Sequence, residues 1–300
     1  MRSIWPSGRL LAILTVTAAV GLTACGDVNA VLEKVSEARQ LDADLAVQFS
    51  RASDAANRAV MADTDDTSVA FAKESRAAAE AVQKDVETLR PLLESLGFSE
   101  ETRLLNQFAS RFADYRTLDQ RILDLAVENT NLKAQRLAFG PAQEAADAFR
   151  DALNSAAAAA SKADPKDAWH VEALTATAMR TVREIQVLQA PHIANADEAV
   201  MTRMEKEMAT SETAARKALD ALRPLLPASA HGQLRAATAA LDKFVDLNMQ
   251  IITLSRRNTN VRSLALSLDE KRTMTTSCEE SLRALHAALA KRGFTNIRER

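Results

Sequence analysis

Glycine is almost absent from this chain. There are seven in 300 residues, and Gly8, Gly21 and Gly26 all fall near the start, leaving Gly97, Gly140, Gly232 and Gly293 for the remainder. So few residues free to take positive φ argue against a turn-rich all-β architecture. Aromatic residues make up only 4% of the chain, and no window keeps up the polar/apolar alternation of a strand. Basic excess is missing too. Arg2 and Arg9 are the only charged residues before Cys25, and the chain from Cys25 onward carries 36 Lys and Arg against 40 Asp and Glu, a formal charge of −4. A nucleic-acid binder or a polybasic membrane binder needs a basic excess or a basic face, so both classes are excluded. What remains abundant is Ala, Leu, Glu, Lys and Arg, the strong helix formers. The expected fold is all-α.

The N-terminus carries an address. Arg2 and Arg9 supply a basic start, Leu10 to Val20 an apolar middle, and small residues precede Cys25. That order is how a secretory signal is built, and the stretch is too short to span a membrane as a helix. Leu22-Thr23-Ala24-Cys25 resembles the bacterial lipobox. The resemblance implies that Cys25 is acylated and becomes the first residue of the mature chain. Residues 1–24 are therefore expected to be a lipoprotein signal peptide. The protein is expected in the bacterial cell envelope, joined to a membrane by this N-terminal lipid and facing the periplasm or exterior. With Cys25 lipidated, Cys278 has no partner for an intramolecular disulfide, and stability must come from apolar cores.

An internal repeat organises the rest. Phe112, Tyr115, Leu118, Ile122, Leu125 and Asn129 recur as Leu241, Phe244, Leu247, Ile251, Leu254 and Asn258, each displaced by 129 residues. Spacings of three and four place each set on one helix face. The same displacement carries Asn129-Thr130-Asn131 onto Asn258-Thr259-Asn260, Leu137 onto Leu266 and Leu153 onto Leu282. Upstream, Leu89-Arg90-Pro91-Leu92-Leu93 recurs at Leu222 to Leu226, displaced by 133. Turn signals cut the first copy at residues 62–67, at Gly97 with Ser99, and at Asn129 to Asn131, with Ser99 and Thr130 as helix N-caps. The second copy opens after the run Ala156 to Ala160 with Asp164-Pro165, and breaks near residues 190–196. Gly140-Pro141 should bend or delay the fourth helix of the first copy. Four amphipathic helices per copy predict two tandem antiparallel four-helix bundles, residues 25–162 and 163–292, followed by a tail at 293–300.

The stretch from Ser99 to Ala156, and again from Ala228 to Ala288, resembles the four-helix-bundle sensory domain of methyl-accepting chemotaxis receptors. The likeness lies in the aromatic helix around Phe112-Ala113-Asp114-Tyr115-Arg116, the Asn-containing turn, and the alanine-rich helix through Ala134 and Leu137. The resemblance implies a periplasmic module that binds small ligands or a binding protein between helices or across a dimer interface. The sequence departs from such receptors in having no transmembrane helix pair and no cytoplasmic signalling stretch.

Motifs for catalysis are missing. His170, His192, His231 and His286 stand alone, without a partner at i+4 or a Glu-x-x-His, and neither Gly-x-Ser-x-Gly nor a glycine-rich phosphate loop is present. The expectation is a non-catalytic protein with no cofactor and no metal. Cys278 aligns with Phe149 and reads as a core position, and Met201, Met204 and Met208 read as a core stripe rather than a soft-metal site. Arg256, Arg257 and Arg262 around the second Asn turn form the densest basic cluster. They are the candidate binding residues for a small anionic ligand, against the alternative of a solvated helix end whose cations complement the helix dipole. The expected role is a sensory or ligand-binding module of the envelope, with a small anion or a partner protein bound, a homodimer as one arrangement, and no nucleic acid. The alternative is a structural or interaction lipoprotein without a ligand.

Overall fold

The computed structural model describes residues 20–163, 166 and 168–292, with side chains from Asn29 onward. Residues 1–19, Asp164-Pro165, the tail 293–300 and the side chain of Cys25 lie outside the described residues, and with them the expected signal segment, second-copy N-cap and lipid attachment point.

The described residues are helical, as composition predicts. In chain order they form α1 (Val20–Met61), α2 (Asp65–Ser95), α3 (Ser99–Glu128), α4 (Thr130–Leu137), α5 (Gln143–Ala163), α6 (Ala168–Ala194), α7 (Glu198–Leu222), α8 (His231–Arg257), α9 (Thr259–Leu266) and α10 (Arg272–Lys291). A π-helical turn, Ala138–Ala142, joins α4 to α5, and a second, Ser267–Lys271, joins α9 to α10 at the 129-residue displacement. Pro141 sits inside the first and removes a backbone donor, which is the distortion expected there. The break near 190–196 falls between α6 and α7, where Asp197 caps α7 by accepting from the Ala199 and Val200 amides. Gly97 takes φ 67° to end α2. No described helix is long and apolar enough to cross a membrane.

The chain divides into two units, and the division corrects the expected boundaries. The first unit comprises α1 as far as Asp54, α2 from Ser75, α3 as far as Thr117, and α10. Its core joins Leu45 and Phe49 of α1, Val82 and Leu89 of α2, Phe108 and Phe112 of α3, and Cys278 and Leu285 of α10. The second unit comprises Ala55–Glu74 and Leu118–Lys271. There Phe149 and Leu153 of α5 share a core with Ile185 of α6, Leu219 of α7, and Phe244 and Ile251 of α8. The repeat is tandem in sequence, but each four-helix core takes its fourth helix from the other copy. The bundles are therefore not residues 25–162 and 163–292.

The Asn turns supply the physical reason. Asn129 (φ 51°) and Asn258 (φ 54°) both adopt the left-handed conformation, which Asn tolerates better than most residues. Thr130 is not an N-cap; it starts α4 and pairs with its own repeat equivalent. The Thr130 amide donates to Thr259 Oγ1 and the Thr259 amide to Thr130 Oγ1, both at 3.2 Å. The Asn131 amide donates to Asn260 Oδ1 and the Asn260 amide to Asn131 Oδ1, both at 3.1 Å. Nδ2 of Asn131 donates to Asn258 Oδ1 at 2.8 Å, and Nδ2 of Asn260 to Asn129 Oδ1 at 2.9 Å. This reciprocal lattice satisfies the starts of α4 and α9 from each other, so the two segments cross rather than each returning to its own copy.

A buried ion pair discriminates the crossed arrangement from the uncrossed one. Lys271, 1% exposed, donates to Asp119 at 2.9 Å and to Asn57 Oδ1 at 3.3 Å. Burial pushes its ammonium below the ordinary lysine range, against the pull of Asp119. The repeat equivalents of this pair are Ala142 and Asn248. Ala142 lies in the core with Phe244 and Ile251, while Asn248 accepts from Gln189 Nε2 at 2.9 Å. Uncrossed, Asp119 would face an alanine and the Lys271 ammonium would face an amide, which costs several kcal/mol per uncompensated charge, on the order of 3–5.

Candidate functional site

In the first unit, α1 presents Asp42, Ala46, Phe49 and Ser50 on one face, and α10 presents Glu279, Leu282, Arg283 and His286 on another. Between them lies a cleft of 260 Å³. Its base is aromatic, because Phe49 packs edge-on against Phe108, Phe112 and Tyr115 at centroid distances of 6.0, 6.1 and 5.2 Å. Asp42 is 2% exposed and occupies a position on the apolar stripe of α1, between Ala38 and Leu45. Its Oδ2 meets His286 Nδ1 at 2.8 Å, while the His286 side chain is 71% exposed. Burial lifts the Asp42 carboxyl above its ordinary range, and the hydrogen bond and charge of His286 pull it back. A desolvated carboxylate whose partner at the cleft mouth is a solvent-facing imidazole is an acceptor that another cation could take over. Arg283 and Glu279 lie 3.6 Å apart at the rim.

The predicted arginines stand elsewhere, in the second unit, and chain carboxylates hold two of them. Arg256 grips Glu205 through Nε at 2.7 Å and Nη2 at 2.9 Å, and reaches Thr202 Oγ1 at 2.7 Å. Arg257 meets Glu128, its own repeat equivalent, at 2.8 Å. Arg262 is exposed, and its amide closes the turn onto the Asn258 carbonyl at 3.0 Å. The three do not converge on one open anion site. Arg256 instead ends a buried polar chain: His192, fully buried, contacts Ser255 Oγ through Nδ1 at 2.7 Å and Glu205 through Nε2 at 2.9 Å. The hydrogen bond from Arg256, with that of His192 behind it, holds the Glu205 carboxyl below its ordinary range despite partial burial.

Cys278 is fully buried, and desolvation pushes its thiol up to about 12, so it packs as a small apolar side chain. Met201, Met204 and Met208 are likewise buried. The Asp42–His286 pair escaped sequence reasoning because its members lie 244 positions apart on helices assigned to different bundles. One signal was legible: an aspartate within the stripe Val35, Ala38, Leu45, Phe49, Ala52.

A family model described as a four helix bundle sensory module for signal transduction matches residues 8–163, just over half of the chain. No curated protein matches the chain. The matched segment ends where α5 ends, so it covers one sequence copy, although the helices it spans contribute to both units.

Proposed function

The chain belongs to the family of four-helix-bundle sensory modules for signal transduction, and on that premise we propose that it is a non-catalytic receptor of the bacterial envelope. In this reading a lipid on Cys25 holds it to a membrane on the periplasmic or exterior side, and it passes the binding event to a partner protein. Its ligand is a small molecule with a cationic group and an apolar body. The observation that carries the reading is Asp42, a buried carboxylate at an aromatic-based cleft with an exposed histidine as its partner. A ligand ammonium replaces the imidazole on Asp42, and its apolar part fills the cleft against Ala46, Phe49 and Leu282.

A thermal-shift screen of primary amines and quaternary ammonium compounds tests the cleft, because a ligand that prefers the native state raises the melting temperature. The expected hit loses its shift in Asp42→Asn and keeps it in Arg257→Glu. A hit that ignores Asp42→Asn overturns the site. Membrane fractionation of Cys25→Ser tests the anchor: the variant leaves the membrane fraction, and an unchanged distribution overturns lipid attachment.

A further inference from the structure

Helices α6 and α7 of the second unit run antiparallel, with Glu184 opposite Ser211 and His192 opposite Glu205. Between them lies a surface groove of 640 Å³, within the range of about 300–1,000 Å³ typical of small-molecule sites. Four cations line it, Arg180, Arg183, Arg203 and Lys206, against two carboxylates, Glu184 and Glu207. The whole chain is net negative, so this local excess is not its general composition. Arg180 is already spent, donating to Glu184 Oε1 at 2.6 Å, and the other oxygen of Glu184 accepts from Ser211 at 3.1 Å. Among the described residues, the charged groups of Arg183, Arg203 and Lys206 have no hydrogen-bond or ion-pair partner, and all three residues are exposed. Val187, 61% exposed, and Leu188 give the same groove an apolar wall.

The fold does not require these cations. At the 133-residue displacement that relates the first two helices of the copies, Ser50 and Ala70 stand where Arg183 and Arg203 stand. Like charges gathered in one groove repel each other, an arrangement that an anion relieves. We propose that the α6/α7 groove binds an anionic amphiphile, a phosphate or carboxylate head on an alkyl chain. Arg183, Arg203 and Lys206 hold the head, and Val187 and Leu188 cover the first methylenes. This site is independent of the Asp42 cleft and has the opposite charge preference.

The test is calorimetric titration of the full chain carrying Cys25→Ser with dodecyl phosphate below its micelle concentration. Saturable binding that weakens with salt is expected, falling about tenfold or more in Arg183→Glu/Arg203→Glu. Dodecyl maltoside, which lacks the charge, and inorganic phosphate, which lacks the chain, should each bind far more weakly, and Asp42→Asn should change nothing. Circular dichroism establishes that the double variant is folded, and Lys206→Glu alone supplies the comparison if it is not. Equal affinity in the charge-reversed protein, or equal affinity for dodecyl maltoside or inorganic phosphate, overturns the proposal. So does binding of phosphatidylglycerol vesicles without binding of monomeric dodecyl phosphate, which would mark a flat membrane-facing surface instead of a groove.

Discussion

Thr130 and Thr259, separated by 129 residues, are each other's partners: their hydroxyl oxygens lie 3.2 Å apart and each accepts the backbone amide of the other. Bonds that run reciprocally between equivalent residues of a repeat relate these two turns by a local two-fold. Thr130→Val keeps the volume but strands the buried Thr259 amide, so it should cost about 1–3 kcal/mol in urea unfolding. The Thr130→Val/Thr259→Val double variant should cost less than the sum of the single changes, with a coupling of about 0.5–3 kcal/mol. Additive costs would mean that the two threonines act independently.

The Lys271–Asp119 pair makes a sharper demand. Either Lys271→Ala or Asp119→Ala leaves a charge in the core and should destabilise by about 3–5 kcal/mol, whereas Lys271→Met/Asp119→Leu should be close to neutral in stability. If the pair also selects the crossed arrangement, the apolar double variant should populate a second species on size-exclusion chromatography. A single species with native stability would confine the pair to packing.

Two carboxyls with opposite shifts predict opposite pH dependences. The native pKa of Glu205 is depressed, so its stabilisation is present at neutral pH and is lost as pH falls below its ordinary value of 4.5 through the depressed one. Glu205→Gln should therefore cost about 1–3 kcal/mol at pH 7 and progressively less under acid conditions. The native pKa of Asp42 is raised, so its contribution is most favourable below 3.8 and fades as pH climbs through the raised value. Asp42→Asn should accordingly be neutral or stabilising at pH 7. Chemical unfolding across pH 3–7 checks both signs, and parallel profiles for the two variants would contradict the assigned environments.

The exchange of fourth helices predicts the behaviour of fragments. Residues 27–163 lack α10, and residues 164–300 lack α5, so neither should melt cooperatively alone. Mixed together, they should restore a cooperative transition by circular dichroism, since each carries what the other is missing. Independent cooperative melting of both would reinstate the sequential division.

The helices were legible because their physics is local. Spacing of apolar residues, Asn turns and Pro141 fixed where they begin, end and distort, and the 129-residue register anticipated the equivalence of Phe149 with Cys278, both buried. The pairing of helices was not legible, because a repeat makes the two choices of fourth helix nearly degenerate in apolar pattern. What separates them are polar exceptions on otherwise apolar stripes, Asp119, Asn248 and Lys271, whose meaning appears only when their partners are known. The surroundings of the arginine candidates were hidden for the same reason: Glu128 and Arg257, equivalent positions of the two copies, are two halves of one ion pair.

Synthesis runs from the N-terminus, and the first unit is completed by the last described helix. While the ribosome makes residues 118–271, the apolar face shared by Phe49, Phe108 and Phe112 has no α10 to cover it. Such a nascent segment is a client for holding chaperones, and its final closure comes only when the chain is almost fully made. A premature stop just before Arg272 would thus damage the oldest part of the protein, leaving its earliest helices without a lid while the helices of the second unit still find their partners.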